Sequence, residues 1–528
     1  MKIQHLKKIE RSAALVVLLK GQGTLPKHEF FKSLKKADQE YLRLFFAKCK
    51  SDGEFFHPVL LPSGIKLFLV GINNKNSFTL RQSIMAMRRV IALAKKEAIT
   101  AIEINFKDFM PEHSTTRNYQ EFAELMATQF ELAHFEFTRY KTPPEKGWNF
   151  VERILVFSKE YESRLQPALN QGKIIGEEIN GARALSNTPG GDMTPARLAE
   201  AAAKAGKTCG FTVKILGEKE IRKLKMGGVL GVSRGSAERP RFIVIEYWGK
   251  NAVSHKRGEP RPRGRESPVV LVGKGVTFDT GGLNLKPSHA IYEMHMDMSG
   301  GAAVIHTIAA LARLKIKKNL VGLIPAVENM PSGSSYHPGD LLRTMSGKTI
   351  EVLDTDAEGR VILADALEYS KKYKPRLVID IATLTGAAMV ALGQRASAIF
   401  TTDPKLEQSL REAGERTGDY VWPLPLWQEY EEEIKGTFGD FANIGKTRYG
   451  GAITGAVFLW QFIKQTQTYA DKNLRQSSGQ VRTNAEDKEI PWVHIDIAPR
   501  MTAIDGEFLA KGAAGASIGL LTKFLREF

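Results

Sequence analysis

The chain has 528 residues and a formal net charge of +17, with 43% hydrophobic and 25% charged residues. This length and composition are typical of a globular protein with a large core and two to four domains. Two cysteines, Cys49 and Cys209, are too few for a disulfide framework and fit no metal spacing, which favours a reducing, cytoplasmic compartment. No run approaches the roughly 20 apolar residues of a membrane span.

The first part of the chain alternates strand-like runs with helical stretches. This rhythm predicts a mostly parallel sheet covered by helices. The strand-like runs lie at 14–19, 66–70, 101–104 and 150–157, and two of the helical stretches lie at 80–98 and 118–133. The basic stretch 1–11 followed by the apolar run 12–19 mimics a short signal peptide, but no small-residue cleavage site follows, which favours a buried first strand.

A domain boundary is predicted where a motif-poor part of the chain gives way to a motif-rich one. Residues 161–186 read mostly as one long helix, with Pro167 in its first turn, and a breaker cluster N-T-P-G-G follows. We therefore expect an α/β protein of two domains. A smaller N-terminal α/β domain covers 1–160, an interdomain helix covers 161–186, and a larger C-terminal α/β catalytic domain covers 187–528, with a central mixed sheet covered by helices.

Two segments read as insertions between elements of the second domain. Residues 256–265 are rich in lysine, arginine, proline and glycine, which predicts a solvated loop over 255–266. The alternative is that this basic loop contacts nucleic acid or a membrane surface, and the charge of +17 is compatible with an acidic partner. Residues 465–489 are polar and predict a second surface loop.

The densest group of charged residues is the stretch V-L-D-T-D-A-E-G-R at 352–360. Asp356 and Glu358 are two positions apart, so they can face the same way on an extended or turning backbone, and Arg360 follows at the start of a helix. Such a cluster between apolar segments is costly to bury unless something binds it. We interpret it as half of a metal site.

A second candidate segment is V-G-K-G-V-T-F-D-T-G-G-L-N-L-K-P at 272–287, which leaves the carboxyl end of the predicted strand 268–273. Ligand sites of α/β sheets gather at such ends. The segment lacks the G-x-x-x-x-G-K-[ST] pattern of a phosphate-binding loop and the third glycine of a dinucleotide fingerprint. It does supply Lys274, Asp279 and Lys286.

A third segment supplies Asp297, which precedes a predicted helix at 302–314. It could cap this helix or belong to the metal site. Together with Asp279, Asp356 and Glu358 it forms a set of four carboxylates that would repel one another without a counter-charge. Two divalent cations about 3.5–4 Å apart would neutralise them, and oxygen-rich ligands suit Mn²⁺ or Mg²⁺ as readily as Zn²⁺.

These segments closely resemble the leucyl (cytosol) aminopeptidase family of dimetal peptidases. The resemblance covers roughly residues 180–528, and the family signature N-T-D-A-E-G-R appears here as D-T-D-A-E-G-R. Further matching motifs are L-S-N-T-P (185–189), E-N-M-P-S-G (328–333), P-G-D (338–340), I-D-I-A-T-L-T-G-A (379–387) and K-G-A-A-G (511–515). The resemblance implies a metal-dependent aminopeptidase that releases N-terminal amino acids from peptides, preferentially leucine or other apolar residues.

The resemblance also implies two metal ions per subunit, Zn²⁺ or Mn²⁺. One would be held by Lys274, Asp279, Asp297 and Glu358. The other would be held by Asp279, Asp356 and Glu358. Lys274 must then ligate as a neutral amine, so that metal binding is linked to proton release. A water that bridges the two metals would attack the scissile carbonyl.

Two further residues carry implied catalytic roles. Lys286 would stabilise the oxyanion of the tetrahedral intermediate, and Arg360 would hold a bicarbonate that shuttles the proton. Met294, Thr383 and Gly386 match positions in or near the family's first specificity pocket.

The family's assembly and this chain's departure from the signature complete the expectations. The resemblance implies a homohexamer that admits short peptides. Asp354 stands where the signature has asparagine, and it could add a repulsive charge near the metals or cap the turn as asparagine would. The alternative hypothesis is a nucleic-acid-binding regulator on the same scaffold, acting through loop 256–265.

Overall fold

A computed structural model describes residues 1–10, 13–19, 28–48, 55–72, 78–111, 119–159, 164–249, 266–464 and 489–528. The basic segment 256–265 and nearly all of the insertion 465–489 lie outside the described residues. The chain divides into two compact units. Unit 1 comprises Met1–Asn180 and Ala503–Lys511, and unit 2 comprises Gly181–Thr502 and Gly512–Phe528.

Among its described residues, unit 1 builds one six-stranded sheet in the order β1-β6-β5-β2-β4-β3. All neighbouring strands of this sheet are parallel except β3 and β4, as the βα rhythm predicts. The strands are Lys2–Leu6 (β1), Ala14–Leu19 (β2), Phe55–Leu60 (β3), Lys66–Gly71 (β4), Ala101–Asn105 (β5) and Arg153–Phe157 (β6). The helices are Glu29–Lys32 (α1), Lys36–Lys48 (α2), Leu80–Lys96 (α3), Phe106–Phe109 (α4), Tyr119–His134 (α5) and Leu165–Ser186 (α6), the last of which runs on into unit 2.

The apolar run of β2 is buried on both faces of this sheet. Ala14, Val16 and Leu18 lie in one hydrophobic cluster, and Leu15 and its alternating neighbours lie in the other. A strand covered on both faces needs apolar side chains at every position, which explains why the run shows no alternation. The buried strand expected here is present, but it is preceded by β1, Lys2–Leu6, which lies within the basic stretch and pairs with β6.

Among the described residues, unit 2 contains more strands and helices than unit 1. Its strands are Thr212–Leu216 (β7), Arg241–Trp248 (β8), Val269–Gly273 (β9), Gly275–Asp279 (β10), Asn319–Asn329 (β11), Leu341–Arg343 (β12), Thr349–Glu351 (β13), Leu377–Ala382 (β14), Ser397–Phe400 (β15), Val421–Pro423 (β16), Phe441–Ala442 (β17) and Trp492–Asp496 (β18). Its α-helices after α6 are Pro195–Cys209 (α7), Glu218–Lys223 (α8), Gly227–Val232 (α9), Ser288–Ile291 (α10), Ser299–Arg313 (α11), Glu358–Ser370 (α12), Gly386–Leu392 (α13), Pro404–Thr417 (α14), Gly451–Ile463 (α15) and Ile518–Glu527 (α16). Short 3-10 helices lie at Ser233–Gly235, Met294–Met296, Lys371–Tyr373, Gln428–Ile434 and Ala498–Arg500.

The main sheet of unit 2 is mixed, as expected. Its described strands run in the order β16-β15-β18-β14-β9-β11-β8-β7, and β10 pairs with the far end of β11. The central strands β18, β14, β9 and β11 are parallel, whereas β8, β7 and β15 are paired antiparallel. The α/β fold class is thereby confirmed. Because the central strands are parallel, their carboxyl ends meet at one edge of the sheet, where a ligand site is expected.

Unit 2 also has a smaller sheet, in which β13 lies between β12 and β17. The segment between β13 and α12 contains the acidic stretch 352–358. Among the helices that the structure describes, none combines the length and apolar composition of a membrane-spanning segment.

Candidate metal centre

Lys274 occupies the junction between β9 and β10. These two strands pair in turn with successive parts of β11, and the backbone N–H of Lys274 donates to the Ile381 carbonyl at 3.0 Å. The Lys274 carbonyl accepts from the N–H of Gly301 at 2.7 Å, at the start of α11. The residue is therefore anchored between strand β14 and helix α11, and its side chain is almost fully buried.

The Lys274 ammonium lies among oxygen atoms. Its Nζ is 2.8 Å from Asp297 Oδ2, 2.7 Å from Glu358 Oε1 and 3.0 Å from the Thr383 carbonyl. Burial disfavours the charge, but the attraction of Asp297 and Glu358 outweighs it and raises the pKa of Lys274 above its usual value. A Cβ on Gly359 would lie 2.5 Å from Lys274 Cε, so the start of α12 has room for this side chain only with glycine there.

Lys286 forms the second lysine–carboxylate group. Its Nζ is 3.0 Å from Asp279 Oδ2 and also contacts Asp356 Oδ1. A tight turn brings it back, because Gly281 adopts φ +89° and the Lys286 N–H donates to the Thr280 carbonyl at 2.9 Å. Burial disfavours the ammonium, yet the attraction of Asp279 and the neighbouring acids raises the pKa of Lys286.

Three carboxylates come together in this centre. Ligand oxygens of Asp279, Asp356 and Glu358 all lie within 4.8 Å of one another. Burial raises the pKa of the Asp356 carboxyl to about 7, and repulsion from Asp279 and Glu358 adds to the effect. Burial likewise raises the pKa values of Asp279 and Asp297. Four carboxylates thus share the centre with two lysine ammonium groups, and their remaining negative charge is costly to bury without a further cation.

The donor set fits divalent cations. One buried oxygen on each of Asp297, Asp356 and Glu358 accepts no hydrogen bond of good geometry, although a lysine ammonium lies close to each. Buried oxygens without such partners are costly, and a metal ion would satisfy them. Contacts among the described residues join all five predicted ligands, and Asp297 does not cap α11, because its Oδ1 accepts from Lys274 and the Thr383 hydroxyl.

Arg360 lies in the first turn of α12 and is buried. Its Nη1 donates to the Asn443 carbonyl at 2.8 Å, and its Nε has no hydrogen-bond partner. Burial lowers the pKa of this guanidinium, and the charges of Glu358 and Asp496 oppose that effect. A buried guanidinium with an unused donor is a suitable partner for a small anion.

Asp354 acts as a cap of the acidic turn. Its Oδ1 accepts from the N–H of Asp356 at 2.8 Å, which is a bond that an asparagine oxygen would also make. Its carboxylate is partly exposed to solvent. Of the two interpretations of this departure, the geometry directly supports the cap.

The three predicted pocket residues have different surroundings. Met294 packs against a small cluster that contains Met296 and Met501. The Thr383 hydroxyl donates to Asp297 Oδ1 at 2.6 Å, and Gly386 begins α13 with open space where a Cβ would be. Thr383 therefore lies at the metal centre itself. The role of all three in substrate recognition stays a prediction.

Two buried asparagines form hydrogen bonds to the segments of the centre, and no role was predicted for either of them from the sequence. The Asn443 Oδ1 accepts from the N–H groups of Leu353 and Asp354 at 2.8 and 3.2 Å, and its Nδ2 donates to the Asp354 carbonyl at 2.6 Å. Asn329 bonds to Asp279 and to the Thr355 carbonyl. Asn329 lies inside a motif that resembles the family, whereas no sequence signal marks Asn443.

Two models of protein families match this chain. The family model described as "Cytosol aminopeptidase family, catalytic domain" matches residues 180–522, and that of the "Cytosol aminopeptidase family, N-terminal domain" matches residues 57–144. The probable cytosol aminopeptidase of Paraburkholderia phymatum is 38% identical over 89% of this chain and 85% of its own length. The probable cytosol aminopeptidase of Nitrosococcus oceani is 36% identical over 98% of this chain and 96% of its own length.

A solved structure is similar to this chain over most of its length. The bottromycin maturation enzyme BotP in complex with Mn is 27% identical to this chain, with a TM-score of 0.75. The match covers 98% of this chain and 99% of the BotP chain. The matches of both family models confirm the family that the motifs suggested, and with it the expected class of enzyme, a hydrolase acting on peptide bonds. The chain belongs to the cytosol aminopeptidase family.

Proposed function

We propose that this protein is an aminopeptidase that uses two divalent metal ions to release N-terminal residues from peptides, with a preference for leucine and other apolar side chains. The observation that carries the proposal is the convergence of Lys274, Asp279, Asp297, Asp356 and Glu358 into one buried group with oxygens in need of a cation. Family membership supports the peptide substrate.

The chain's own residues would hold the metals and prepare the site. Lys274, Asp279, Asp297 and Glu358 would hold one ion, and Asp279, Asp356 and Glu358 the other. When bound, the ions would acidify the water that bridges them and polarise the scissile carbonyl. Lys274 has to give up a proton before its amine can serve as a ligand, because its Nζ is an ammonium among carboxylates.

Lys286 and Arg360 would act on charge that develops during the reaction. Lys286 Nζ, which lies beside Asp279 and Asp356, would donate to the oxyanion that forms on the attacked carbonyl. Arg360 would hold a bicarbonate with its unpaired Nε, and this anion would relay the proton to the leaving amine.

The finer properties are proposals as well. Mn²⁺ or Zn²⁺ fits the oxygen-rich set, and Mn is present in the solved structure of the similar BotP. Met294, Thr383 and Gly386 would line the pocket for the first side chain of the peptide. The resemblance supports a homohexamer that admits short peptides for catabolism, and the names of the relatives support a cytoplasmic location.

Hydrolysis of leucine p-nitroanilide by the purified protein with Mn²⁺ or Zn²⁺ tests the proposal. We expect metal-dependent release of p-nitroaniline and its loss in Glu358→Ala, because this variant removes an oxygen donor to both proposed ions. Glu368→Ala on the same helix α12 is the matched control, since Glu368 pairs only with Lys371 among the ion pairs of the described residues. An absence of metal-dependent hydrolysis across a panel of aminoacyl substrates would refute the proposal.

A second candidate function is nucleic-acid binding through the loop 256–265. The formal net charge of +17 favours it, because excess positive charge attracts the phosphate backbone. The loop lies outside the described residues, so this candidate rests on charge alone.

A further inference from the structure

Asn329, the last residue of β11, is fully buried and bonds to both halves of the metal centre. Its Nδ2 donates to Asp279 Oδ1 at 2.8 Å and to the Thr355 carbonyl at 2.9 Å. Its own carbonyl accepts from the N–H and the hydroxyl of Thr280 at 3.0 and 2.8 Å. One amide group therefore joins the segment that supplies Asp279 to the turn that supplies Asp356.

These bonds leave the two oxygens of Asp279 in different surroundings. Oδ1 accepts from Asn329 Nδ2 and from the N–H of Gly281 at 2.9 Å, so the protein itself satisfies it. Oδ2 lies 3.0 Å from Lys286 Nζ, the ammonium that also contacts Asp356 Oδ1. The hydrogen bonds of Oδ1 thus set the rotation of the carboxylate and direct Oδ2 towards this lysine and the carboxylate that shares it.

The amide nitrogen is the functional part of the Asn329 side chain. The amide oxygen is buried and has no hydrogen-bond partner, which lowers stability relative to a leucine of similar size. A tight backbone approach surrounds this oxygen, because a Cβ on Gly282 would lie 2.9 Å from it. The unpaired amide oxygen of Asn329 therefore lowers the stability of the folded protein, and the two hydrogen bonds that its Nδ2 donates offset that loss.

We propose that Asn329 is a positioning residue that orients Asp279 for metal binding by holding Oδ1 and leaving Oδ2 for the ions. This inference rests on the proposed dimetal function and extends it to a residue outside the ligand set. Partners that hydrogen-bond a metal-binding group typically change metal affinity by about 10–100-fold when they are removed.

The test compares Mn²⁺ binding to the metal-free full-length protein and two variants. Asn329→Leu removes both donor bonds with little change in volume. Tyr336→Phe is the matched control, because the buried Tyr336 hydroxyl donates at 2.7 Å to the same Thr355 carbonyl and makes no hydrogen bond to Asp279. Free Mn²⁺ is measured by electron paramagnetic resonance during titration, which reports affinity independently of hydrolysis.

We expect Asn329→Leu to weaken Mn²⁺ binding about tenfold or more, and Tyr336→Phe to bind as the unaltered protein does. A general loss of stability would not produce this difference, because both variants lose a bond to the Thr355 carbonyl while only one alters Asp279. If Asn329→Leu does not fold, Asn329→Ser takes its place, and the same weakening is expected.

The outcomes separate this inference from the proposed function. If the unaltered protein binds Mn²⁺ and hydrolyses leucine p-nitroanilide, and the Asn329 variant binds Mn²⁺ equally well, the positioning role is refuted while the aminopeptidase proposal stands. Equal weakening in the Tyr336→Phe control would also refute it, because the effect would then come from the Thr355 turn. Failure of the unaltered protein to bind Mn²⁺, together with an absence of hydrolysis in the presence of either Mn²⁺ or Zn²⁺, would refute both.

Discussion

Lys286 has two proposed roles at this centre, one in charge balance and one in the reaction. In the structure its ammonium lies between Asp279 and Asp356 and compensates part of their charge. With cations in place, those carboxylates would be neutralised by the metals, and the ammonium would be available to an oxyanion. The same residue would therefore contribute both to the charge balance of the carboxylates and to a step of the proposed reaction.

Replacing Lys286 by methionine is expected to lower kcat by about 10²–10³-fold, the usual effect of removing one oxyanion donor. Bound metal should remain, because Lys286 is not among the proposed ligands. Steady-state kinetics on leucine p-nitroanilide, together with metal content by atomic absorption, would measure both quantities. A variant with full metal content and a kcat within a few-fold of the unaltered protein would show that Lys286 has no such role.

A second residue of interest at this centre is Asp354, where the family signature has asparagine. Its carboxylate oxygen makes a turn bond that asparagine could make, and Asn443 binds the backbone N–H and carbonyl of the same residue. The local structure of the turn is therefore compatible with either residue.

At the scale of elements, the end of α5 in unit 1 contains a histidine in an environment that opposes its charge. His134 is the last residue of this helix, where the helix dipole favours a cation. Burial nevertheless lowers the pKa of His134 to about 4, and the positive charges of the N-terminus and Lys95 add to the effect. The ring packs against Phe150, and its Nε2 has no hydrogen-bond partner.

The lowered pKa of His134 predicts that the stability of unit 1 decreases at acidic pH. Since the folded-state pKa lies below the unfolded value of about 6.5, the unfolded state binds the proton first as the pH falls. Stability contributed by neutral His134 is therefore present above pH 6.5 and is lost as the pH falls towards 4, by about 1–3 kcal/mol.

We expect His134→Leu to lose less stability than the unaltered protein between pH 7 and pH 5. Urea unfolding followed by circular dichroism at both pH values would measure the difference. The comparison at pH 7 serves as the control for any change in packing. If the two proteins lose the same free energy of unfolding over this range, the pH dependence of stability arises from a group other than His134.

At the scale of the whole molecule, charge raises the question of an acidic partner. The lysines and arginines exceed the acids by 17, and part of the excess lies in the loop 256–265. A protein that binds nucleic acid through such a loop should lose affinity steeply with salt, with a slope set by the number of phosphates neutralised.

Filter binding of double-stranded DNA at rising salt would decide between the two readings of this loop. For a functional contact we expect binding that survives near physiological salt and falls when the basic residues of the loop are replaced by serine. The replaced residues would be Lys256, Arg257, Arg261, Arg263 and Arg265. Binding that disappears near physiological salt in both proteins would indicate generic electrostatic attraction, and the loop would then be a solvated insertion.

Much of the fold and of the candidate site could be read from local patterns. The apolar run at 14–19 predicted β2, and the helical stretches at 80–98 and 118–133 predicted α3 and α5. The first strand β1 was missed, because its apolar residues Ile3 and Leu6 do not alternate with polar ones as in a half-buried strand, and β10 was not expected in the glycine-rich segment. Pairing with β11 makes a strand of that segment, which is a tertiary effect.

The sequence by itself determined the α/β rhythm, the acidic and basic residues of the centre, and the family, because periodicity, charge density and motifs are local properties of the chain. Only the tertiary structure decided which groups touch. Lys274 meets the Thr383 carbonyl 109 positions away, Asn329 meets Asp279 across 50, and Asn443 holds the turn of Asp354 across 89. Such contacts arise from strand order and burial, which place distant residues at one edge of the sheet, and no local pattern specifies them.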